Sequence, residues 1–277
     1  MEPRSLNLDA YLGRIGFSGK PAPDLETLRQ FHRLHARAIP FENLSPFLGE
    51  PVPLDRAALE DKLVRRQRGG WCFEQNLLFT HALRAAGFEV KTLAARVHWN
   101  VPSGVTTSRS HMLMQVTIDA QRYIADVGFG GLTLTAPLRL EPHVEQATAH
   151  ERYRLIPAGE GYLLEAKVGD EWQALYVFDL HEQLQADYEV SNWYLANFPQ
   201  SQFVTGIIAA RADDDVRHAL RNTRYAIHRP DGQTQRRHLT SVAELKAVLE
   251  GPMQIPLPRH PDLDSRLQQV IDANPSA

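Results

Sequence analysis

Hydrophobic residues in the first third of the chain recur with helical spacing in three stretches. Asp24 precedes the first stretch, residues 24–38, and has a side chain suited to cap a helix start. The second stretch covers residues 55–67. The third covers residues 72–86 and stops at Gly87, a residue type favoured just beyond a helix end. Three helices joined by short loops predict a small helical bundle.

After the third helix the hydrophobic period changes from helical to alternating, which is typical of strands with one buried face. Polar or glycine-containing turns separate the successive stretches, and no long helical pattern intervenes. This arrangement predicts an antiparallel sheet or barrel. The predicted strands are residues 88–99, 111–118, 122–127, 152–156, 161–168 and 171–178.

The last part of the chain mixes both patterns. Residues 230–232, Pro-Asp-Gly, form a turn signal between two short strand-like stretches. Ser241, with Glu244 three residues later, predicts the start of a helix. The chain is therefore predicted to contain three domains. They are a helical domain over residues 1–88, a strand-rich domain over 89–200 and a mixed domain over 201–277.

Composition and charge narrow the class of protein without identifying it. The chain has 277 residues, of which 43% are hydrophobic and 23% are charged, and this predicts a globular protein. A formal net charge of −3 provides no overall field that would attract nucleic acid or anionic lipid. No stretch approaches the roughly 18 apolar residues of a membrane-spanning helix. We therefore expect small-molecule partners, with neither nucleic acid nor a membrane among them.

A single cysteine cannot form an intramolecular disulfide, and the N-terminus lacks the apolar stretch of a secretory signal, so we expect a cytoplasmic protein. That cysteine, Cys72, lies in the motif RGGWCFEQN at residues 68–76. One interpretation is a small buried hydrophobic side chain. Another is a nucleophile, because the first turn of a helix stabilises a thiolate. Gly69 and Gly70 predict a flexible entry to this helix.

A cysteine nucleophile needs a base and a group that orients the base. Among the twelve histidines, His111 stands out because it begins a predicted strand and Asp126 lies in the next one. If residues 119–120 form a two-residue loop, His111 and Asp126 are diagonal neighbours on one face of the hairpin, roughly 7–8 Å apart at the backbone. A three-residue loop without a bulge would place them on opposite faces.

The motif around Cys72 has companions elsewhere in the chain. IPFENL occurs at residues 39–44, SRSHM surrounds His111, and DVGFGG occurs at residues 126–131. In order and spacing, these motifs resemble the arylamine N-acetyltransferase family across the first half of the chain. The three-part organisation extends the likeness over nearly all of it. The link around NWYLANFPQSQF is short, as in bacterial members of that family.

This resemblance implies an α+β fold with an N-terminal helical bundle, a central antiparallel β-barrel and a C-terminal α/β lid, built on a cysteine-protease-like core. It further implies that Cys72, His111 and Asp126 are a catalytic triad. The implied activity is acetyl-CoA-dependent N-acetylation of arylamines or arylhydrazines, by a ping-pong mechanism through an acetyl-cysteine. Acetyl-CoA is then a co-substrate, and neither a permanently bound cofactor nor a metal is expected.

The glycine-rich segment after Asp126 has two interpretations. Glycines after a strand ordinarily mark a tight turn. Next to Asp126, Gly128, Gly130 and Gly131 could instead let backbone N–H groups approach a ligand closely and receive the pantetheine or pyrophosphate of CoA. The resemblance implies that Phe129 lines the acceptor pocket.

The resemblance also implies roles for residues outside these motif centres. Val97, Trp99 and Phe203 would lie in the cleft, although each is equally compatible with core packing. Glu42 and Arg68 would form a structural ion pair that holds the Cys72 loop, whereas from sequence alone both side chains are as compatible with a solvated surface.

Three other classes of protein stay open from the residues alone. Cysteine, histidine and aspartate occur in the same chain order in papain-like hydrolases and transglutaminases. The same three side chains could bind a catalytic zinc ion, but the chain has one sulfur and no CxxC or HExxH spacing. A non-catalytic CoA-binding protein with a buried cysteine is the third alternative.

Overall fold

The structure, a computed structural model, describes residues 6–102 and 104–275. The helices in this part of the chain are α1 (Leu8–Ile15), α2 (Leu25–Ala38), α3 (Leu44–Phe47), α4 (Arg56–Leu59), α5 (Cys72–Ala85), α6 (Gln185–Asn197), α7 (Gln202–Thr205), α8 (Val242–Glu250) and α9 (Leu263–Ala273). A π-helical segment, Glu60–Arg65, continues α4. The strands are β1 (Phe41–Glu42), β2 (Glu89–Val97), β3 (His111–Ile118), β4 (Gln121–Ala125), β5 (Leu138–Arg139), β6 (Gln146–Ala147), β7 (Arg152–Ala158), β8 (Gly161–Val168), β9 (Glu171–Phe178), β10 (Ile208–Ala212), β11 (Arg217–Arg221), β12 (Arg224–His228) and β13 (Thr234–His238).

Side-chain caps set the starts of two predicted helices. Asp24 Oδ1 accepts a hydrogen bond from Thr27 N at 2.8 Å at the start of α2, and Asp55 Oδ1 accepts one from Ala58 N at 3.1 Å at the start of α4. Beyond the end of α5, Gly87 has a φ of 91°, in the region that favours glycine. The three predicted helices are confirmed.

Eight strands form a nearly closed antiparallel barrel in the order β5-β4-β3-β2-β9-β8-β7-β6. The side chain of Gln146 bridges the two edge strands, because its amide accepts a hydrogen bond from Arg139 N at 2.7 Å and donates one to Arg139 O at 3.0 Å. Apolar side chains such as Leu93, Leu113 and Ile124 form the core between these strands. The predicted α+β fold with a central antiparallel barrel is confirmed.

The β3–β4 hairpin has a two-residue loop, the one of the two possible loops that the pairing of His111 with Asp126 requires. The ladder continues to the residues that flank Asp119 and Ala120, and these two residues have φ values of 48° and 62°. Two successive residues with positive φ are typical of a type I′ turn, whose twist matches that of the paired strands. This loop keeps His111 and Asp126 on the same side of the hairpin, where their side chains meet.

Strand β4 ends at Ala125, so the predicted end at residue 127 is wrong. From Asp126 onward the chain leaves the ladder with β3, and helix side chains supply hydrogen bonds to its backbone. His32 Nε2 accepts a hydrogen bond from Asp126 N at 3.2 Å, and Asn76 Oδ1 accepts one from Val127 N at 3.0 Å. The strand ends here because these contacts replace the ladder.

A second antiparallel sheet has the order β1-β10-β11-β12-β13. Leu245 of α8 and Leu267 of α9 belong to the core beside this sheet, together with Leu44 and Phe47 of α3. Strand β1, from the predicted helical domain, pairs with β10 from the predicted C-terminal domain. The division at residues 88 and 200 stays a prediction.

The strand-rich part contains one helix that the hydrophobic pattern did not predict. Helix α6 buries Tyr188 and Asn192, whereas Val190 and Trp193 are 72% and 67% exposed. A helix that buries an amide and exposes large apolar side chains has no apolar stripe, so its sequence carries no clear helical period.

Candidate active site

Cys72 is the first residue of α5, the helix start that the sequence predicted. The residue is 7% exposed, and its Sγ donates toward Ser110 O at 3.7 Å. Ser110 directly precedes β3, so the sulfur lies where the helix meets the beginning of that strand. The first turn of a helix favours an anion through its unpaired N–H groups and its dipole.

The two glycines before Cys72 are tightly packed. A Cβ atom on Gly69 would lie 2.2 Å from Pro40 O, and one on Gly70 would lie 2.7 Å from Glu74 Oε2. The prediction of a flexible entry is therefore wrong. Gly69 lies too close to the backbone carbonyl of Pro40 for any side chain, whereas Gly70 is packed against the side chains of Glu74 and Leu63.

The imidazole of His111 lies between a carboxylate and the sulfur. His111 Nε2 is 2.7 Å from Asp126 Oδ2, and both residues are buried. The other ring nitrogen, Nδ1, takes no part in this contact, and Cys72 is close enough to the ring to help raise the pKa of His111. The structure therefore brings the sulfur, the ring and the carboxylate together in that order.

Opposing effects act on the pKa of His111. Burial lowers it, but the charge and hydrogen bond of Asp126, with a smaller contribution from Cys72, raise the pKa from 6.5 to about 10. Burial also acts to raise the pKa of Asp126, yet His111, Asn76 and the Gly128 N–H together lower it below its ordinary value. At neutral pH both groups are therefore charged.

Asp126 is held by four hydrogen-bond donors. Its Oδ2 accepts from His111 Nε2 and from the Tyr176 hydroxyl at 2.9 Å. Its Oδ1 accepts from Asn76 Nδ2 at 2.9 Å and from Gly128 N at 2.9 Å. A carboxylate with this many donors keeps its charge and its orientation although it is fully buried.

Asn76 is a site residue that the sequence analysis missed. Besides its bond to Asp126, its Nδ2 donates to Met112 O at 2.7 Å, and its Oδ1 accepts from Val127 N. It lies four residues after Cys72 and therefore on the same face of α5. This spacing within RGGWCFEQN was the one signal available for it.

Gly128 lies directly against α5, the helix that begins with Cys72. A Cβ atom on Gly128 would lie 2.8 Å from Cys72 Cα and 3.0 Å from Asn76 Nδ2. Its N–H donates to Asp126, so this group is engaged within the site. A CoA contact for Gly128, Gly130 and Gly131 stays a prediction.

An aromatic wall adjoins His111. The ring of Phe129 lies 5.1 Å from the imidazole and 5.1 Å from the ring of Tyr176, which is itself 4.9 Å from the imidazole. Phe129, Val97 and Trp99 are all half-buried, and Val97 pairs with Tyr176 across β2 and β9. The binding roles expected for these residues stay predictions.

Phe203, also expected in the cleft, packs against Trp71, the residue that precedes Cys72. Its ring lies 5.1 Å from that of Trp71 and 6.4 Å from that of Phe41. Trp71 in turn donates from Nε1 to Asn192 Oδ1 of α6 at 3.1 Å. The residue before the sulfur is thus packed on one side and hydrogen-bonded on the other.

Glu42 and Arg68 form a buried ion pair. Arg68 donates to Glu42 Oε1 from Nε at 3.0 Å and from Nη2 at 2.7 Å, while Glu42 Oε2 accepts from Leu44 N at 2.6 Å. Lys62 adds a second cation and bonds Glu74 Oε1 at 2.7 Å. Burial acts to raise the pKa of Glu42, but Arg68 and Lys62 lower it. That this pair supports the Cys72 loop stays a prediction.

Features that would indicate a metal site or a membrane-spanning helix do not occur among the described residues. Residues 6–102 and 104–275 contain no group of three or more histidine, cysteine or acidic side chains arranged to hold a metal ion. No helix among them is long and apolar enough to cross a membrane. A surface cavity of about 360 Å³, lined by residues including Arg29, Tyr123 and Arg139, shares no residue with the site around Cys72.

Comparisons with known proteins agree with this geometry. The model of a family described as N-acetyltransferase matches residues 24–261. The arylamine N-acetyltransferase of Mycolicibacterium smegmatis is 41% identical over 274 residues, which cover 97% of this chain and 99% of the relative. Arylamine N-acetyltransferase 1 of Homo sapiens is 32% identical over 234 residues, which cover 78% of this chain and 81% of the relative.

Solved structures are also similar to nearly the whole chain. The structure of the M. smegmatis arylamine N-acetyl transferase has a TM-score of 0.93 and 41% identity, and covers 97% of this chain and 100% of its own. The arylamine N-acetyltransferase of Mycobacterium marinum in complex with CoA has a TM-score of 0.92 and 41% identity, and covers 95% of this chain and 99% of its own.

Proposed function

The chain belongs to the arylamine N-acetyltransferase family, and on that premise we propose that it transfers an acetyl group from acetyl-CoA to an arylamine or arylhydrazine. Cys72 is the proposed nucleophile and His111 the proton carrier. Asp126 orients the imidazole and stabilises its positive charge. Acetyl-CoA is a co-substrate in this proposal. The acceptor is a small molecule, and the expected compartment is the cytoplasm.

One observation carries the proposal: His111 Nε2 lies 2.7 Å from Asp126 Oδ2, and Cys72 is close enough to act on the same ring. A ring whose pKa is about 10 holds its proton at neutral pH, so the pair can exist as thiolate and imidazolium. Asp126 fixes the ring orientation and stabilises its positive charge.

In the first half-reaction, the Cys72 thiolate attacks the carbonyl carbon of acetyl-CoA. A carbon–sulfur bond to Cys72 forms, and the carbon–sulfur bond to CoA breaks. The departing CoA sulfur takes the proton from His111 Nδ1, which leaves a neutral imidazole. Because one thioester replaces another, this step has little thermodynamic cost.

In the second half-reaction, the nitrogen of the amine attacks the carbonyl carbon of acetyl-Cys72. The proton of the amine passes to His111 Nδ1, and the Cys72 sulfur leaves as a thiolate, which restores the starting pair. CoA leaves before the amine reacts, so the kinetics are ping-pong. We assign the acceptor to the space beside Phe129, Val97, Trp99 and Phe203, and the CoA chain to the Gly130–Gly131 segment.

Intact-mass measurement after mixing with acetyl-CoA alone tests the first half-reaction. We expect one added acetyl group, located on Cys72 by peptide mapping, in the wild type. Cys72→Ala and His111→Gln should each show none. An unmodified wild-type chain would contradict the proposal and would favour a non-catalytic CoA-binding protein.

Adding an arylamine to the acetylated protein tests the second half-reaction. An arylamine such as 5-aminosalicylate or 2-aminofluorene should remove the acetyl group and yield the N-acetylated amine in equal amount. Loss of the acetyl group to water at the same rate with or without the amine would indicate a hydrolase instead. Peptide and ester substrates, tested in parallel, should not be cleaved.

A further inference from the structure

A second histidine, His32, contacts the backbone of the candidate triad from helix α2. His32 belongs to α2 and is 0% exposed. Its ring stands edge-on to Phe79 of α5, with centroids 5.6 Å apart at 81°. Its Nε2 is 3.2 Å from the backbone nitrogen of Asp126. His32 therefore reaches the main chain of the residue whose carboxylate holds His111.

The direction of this hydrogen bond fixes the tautomer of His32. A backbone N–H group can only donate, so Nε2 is the acceptor and the ring hydrogen is on Nδ1. Nδ1 is buried and has no hydrogen-bond partner among residues 6–102 and 104–275. Buried nitrogen atoms are rarely left unpaired in proteins. A histidine at this position is therefore costly at Nδ1. The hydrogen bond that its Nε2 accepts from Asp126 N offers a reason for its presence.

His32 is a neutral ring in a charged neighbourhood. Burial lowers the pKa of His32 to about 4, and the charge of Asp126 acts in the opposite direction without overcoming it. His35, one turn further along α2, is also buried and its pKa is lowered. A neutral His32 is required for the contact, because a protonated Nε2 would be a donor facing another donor.

We propose that His32 is a positioning residue of the triad, which holds the main chain of Asp126 where the strand ladder ends. Val127 N is bound by Asn76 from α5, so His32 and Asn76 together replace the ladder at two successive residues. Without His32, the buried Asp126 N–H is left unpaired, and the main chain that carries the carboxylate loses one of its anchors. This inference rests on the proposed role of Asp126.

His35 offers a contrast within the same helix. It lies three residues after His32 and is equally buried, but its Nδ1 is 2.9 Å from the hydroxyl of Tyr11, on the far side of the helical bundle core. It makes no hydrogen bond to Asp126. A buried histidine in α2 therefore does not contact the triad merely because it is buried. Of these two histidines, only His32 reaches Asp126.

The experiment compares three variants by two measurements. His32→Leu removes the acceptor, His32→Gln offers an amide oxygen at similar reach, and Phe31→Leu perturbs the packing of α2 on the face that contacts Tyr11 and Phe17. The measurements are the single-turnover rate of Cys72 acetylation by acetyl-CoA and the pH profile of Cys72 alkylation by iodoacetamide. Thermal unfolding midpoints are recorded for all.

We expect His32→Leu to slow acetylation by about tenfold, from the cost of leaving a buried N–H unpaired, and to shift the midpoint of the alkylation profile. His32→Gln should restore much of both. Phe31→Leu should lower the unfolding midpoint without moving the profile. If His32→Leu behaves like Phe31→Leu, the inference is overturned. If the wild type is not acetylated at all, the proposed function has failed instead.

A measurement on the wild type is independent of whether variants fold. Nitrogen-15 spectra of the histidine rings at pH 7 should show His32 neutral, with its hydrogen on Nδ1. A hydrogen on Nε2, or a charged ring at this pH, would overturn the inference, because neither form can accept a hydrogen bond from Asp126 N–H.

Discussion

Lowering the pH from 7 to 5 should destabilise the protein through His32, and replacing His32 by glutamine should remove that part of the loss. The folded-state pKa of His32 is about 4, whereas an exposed histidine titrates near 6.5. Above pH 6.5 the ring is neutral in both states and has no effect. Below 6.5 the unfolded chain binds a proton that the folded chain refuses, so stability falls until the pH reaches about 4.

The size of this effect follows from the two pKa values. Their difference corresponds to about 3 kcal/mol once the pH is well below 4, of which about 2 kcal/mol is lost between pH 7 and pH 5. His35 has a lowered pKa for the same reason and adds a loss of the same sign. His81, whose burial lowers its pKa to about 4, does likewise. Both remain in the variant, but the charge of His32 also lowers the pKa of His35, so the difference between variant and wild type reports His32 together with its effect on His35.

The assay is urea unfolding followed by tryptophan fluorescence at pH 7, 6 and 5, for the wild type and His32→Gln. Glutamine does not titrate, so the free energy of unfolding of the variant should fall by about 2 kcal/mol less than that of the wild type over this range. Equal losses in the two proteins would show that the pKa of His32 is the same in the folded and the unfolded chain, and the reasoning would be refuted.

Two further substitutions test contacts of the site. Gly128→Ala should abolish most Cys72 acetylation, because the new Cβ would lie 2.8 Å from Cys72 Cα, and a wild-type acetylation rate by intact mass would contradict the close approach. Arg68→Ala should lower the free energy of unfolding by about 3 kcal/mol or more, since it leaves Glu42 buried without its main cation, and Arg68→Lys should lower it less. Equal thermal stability of both variants and the wild type would reject a supporting role for the pair.

The sequence predicted those parts of the site that depend on local geometry. A two-residue loop determines which side chains share a face of a hairpin, so the meeting of His111 and Asp126 followed from counting residues. The start of α5 at Cys72 followed in the same way from the break after Gly70 and the run of helix-forming residues.

The residues that the sequence did not predict act across elements. His32 and Asn76 reach Asp126 only because α2 and α5 pack on the β3–β4 hairpin, and no spacing within one element reports that packing. The close packing of Gly69 was also missed, because a glycine needed for flexibility and one needed for space are identical in sequence. Helix α6 was missed because its apolar side chains face outward.

The three chemical groups of the site come from two separately formed pieces of the chain. His111 and Asp126 are 15 residues apart on one hairpin, whereas Cys72 arrives on a helix that must dock against it. If Cys72 is the nucleophile as proposed, a partly unfolded chain holds the thiol apart from His111, and only the docked helix brings the two together. The amount of acetyl group taken up from acetyl-CoA would then count the molecules of a preparation in which α5 has docked.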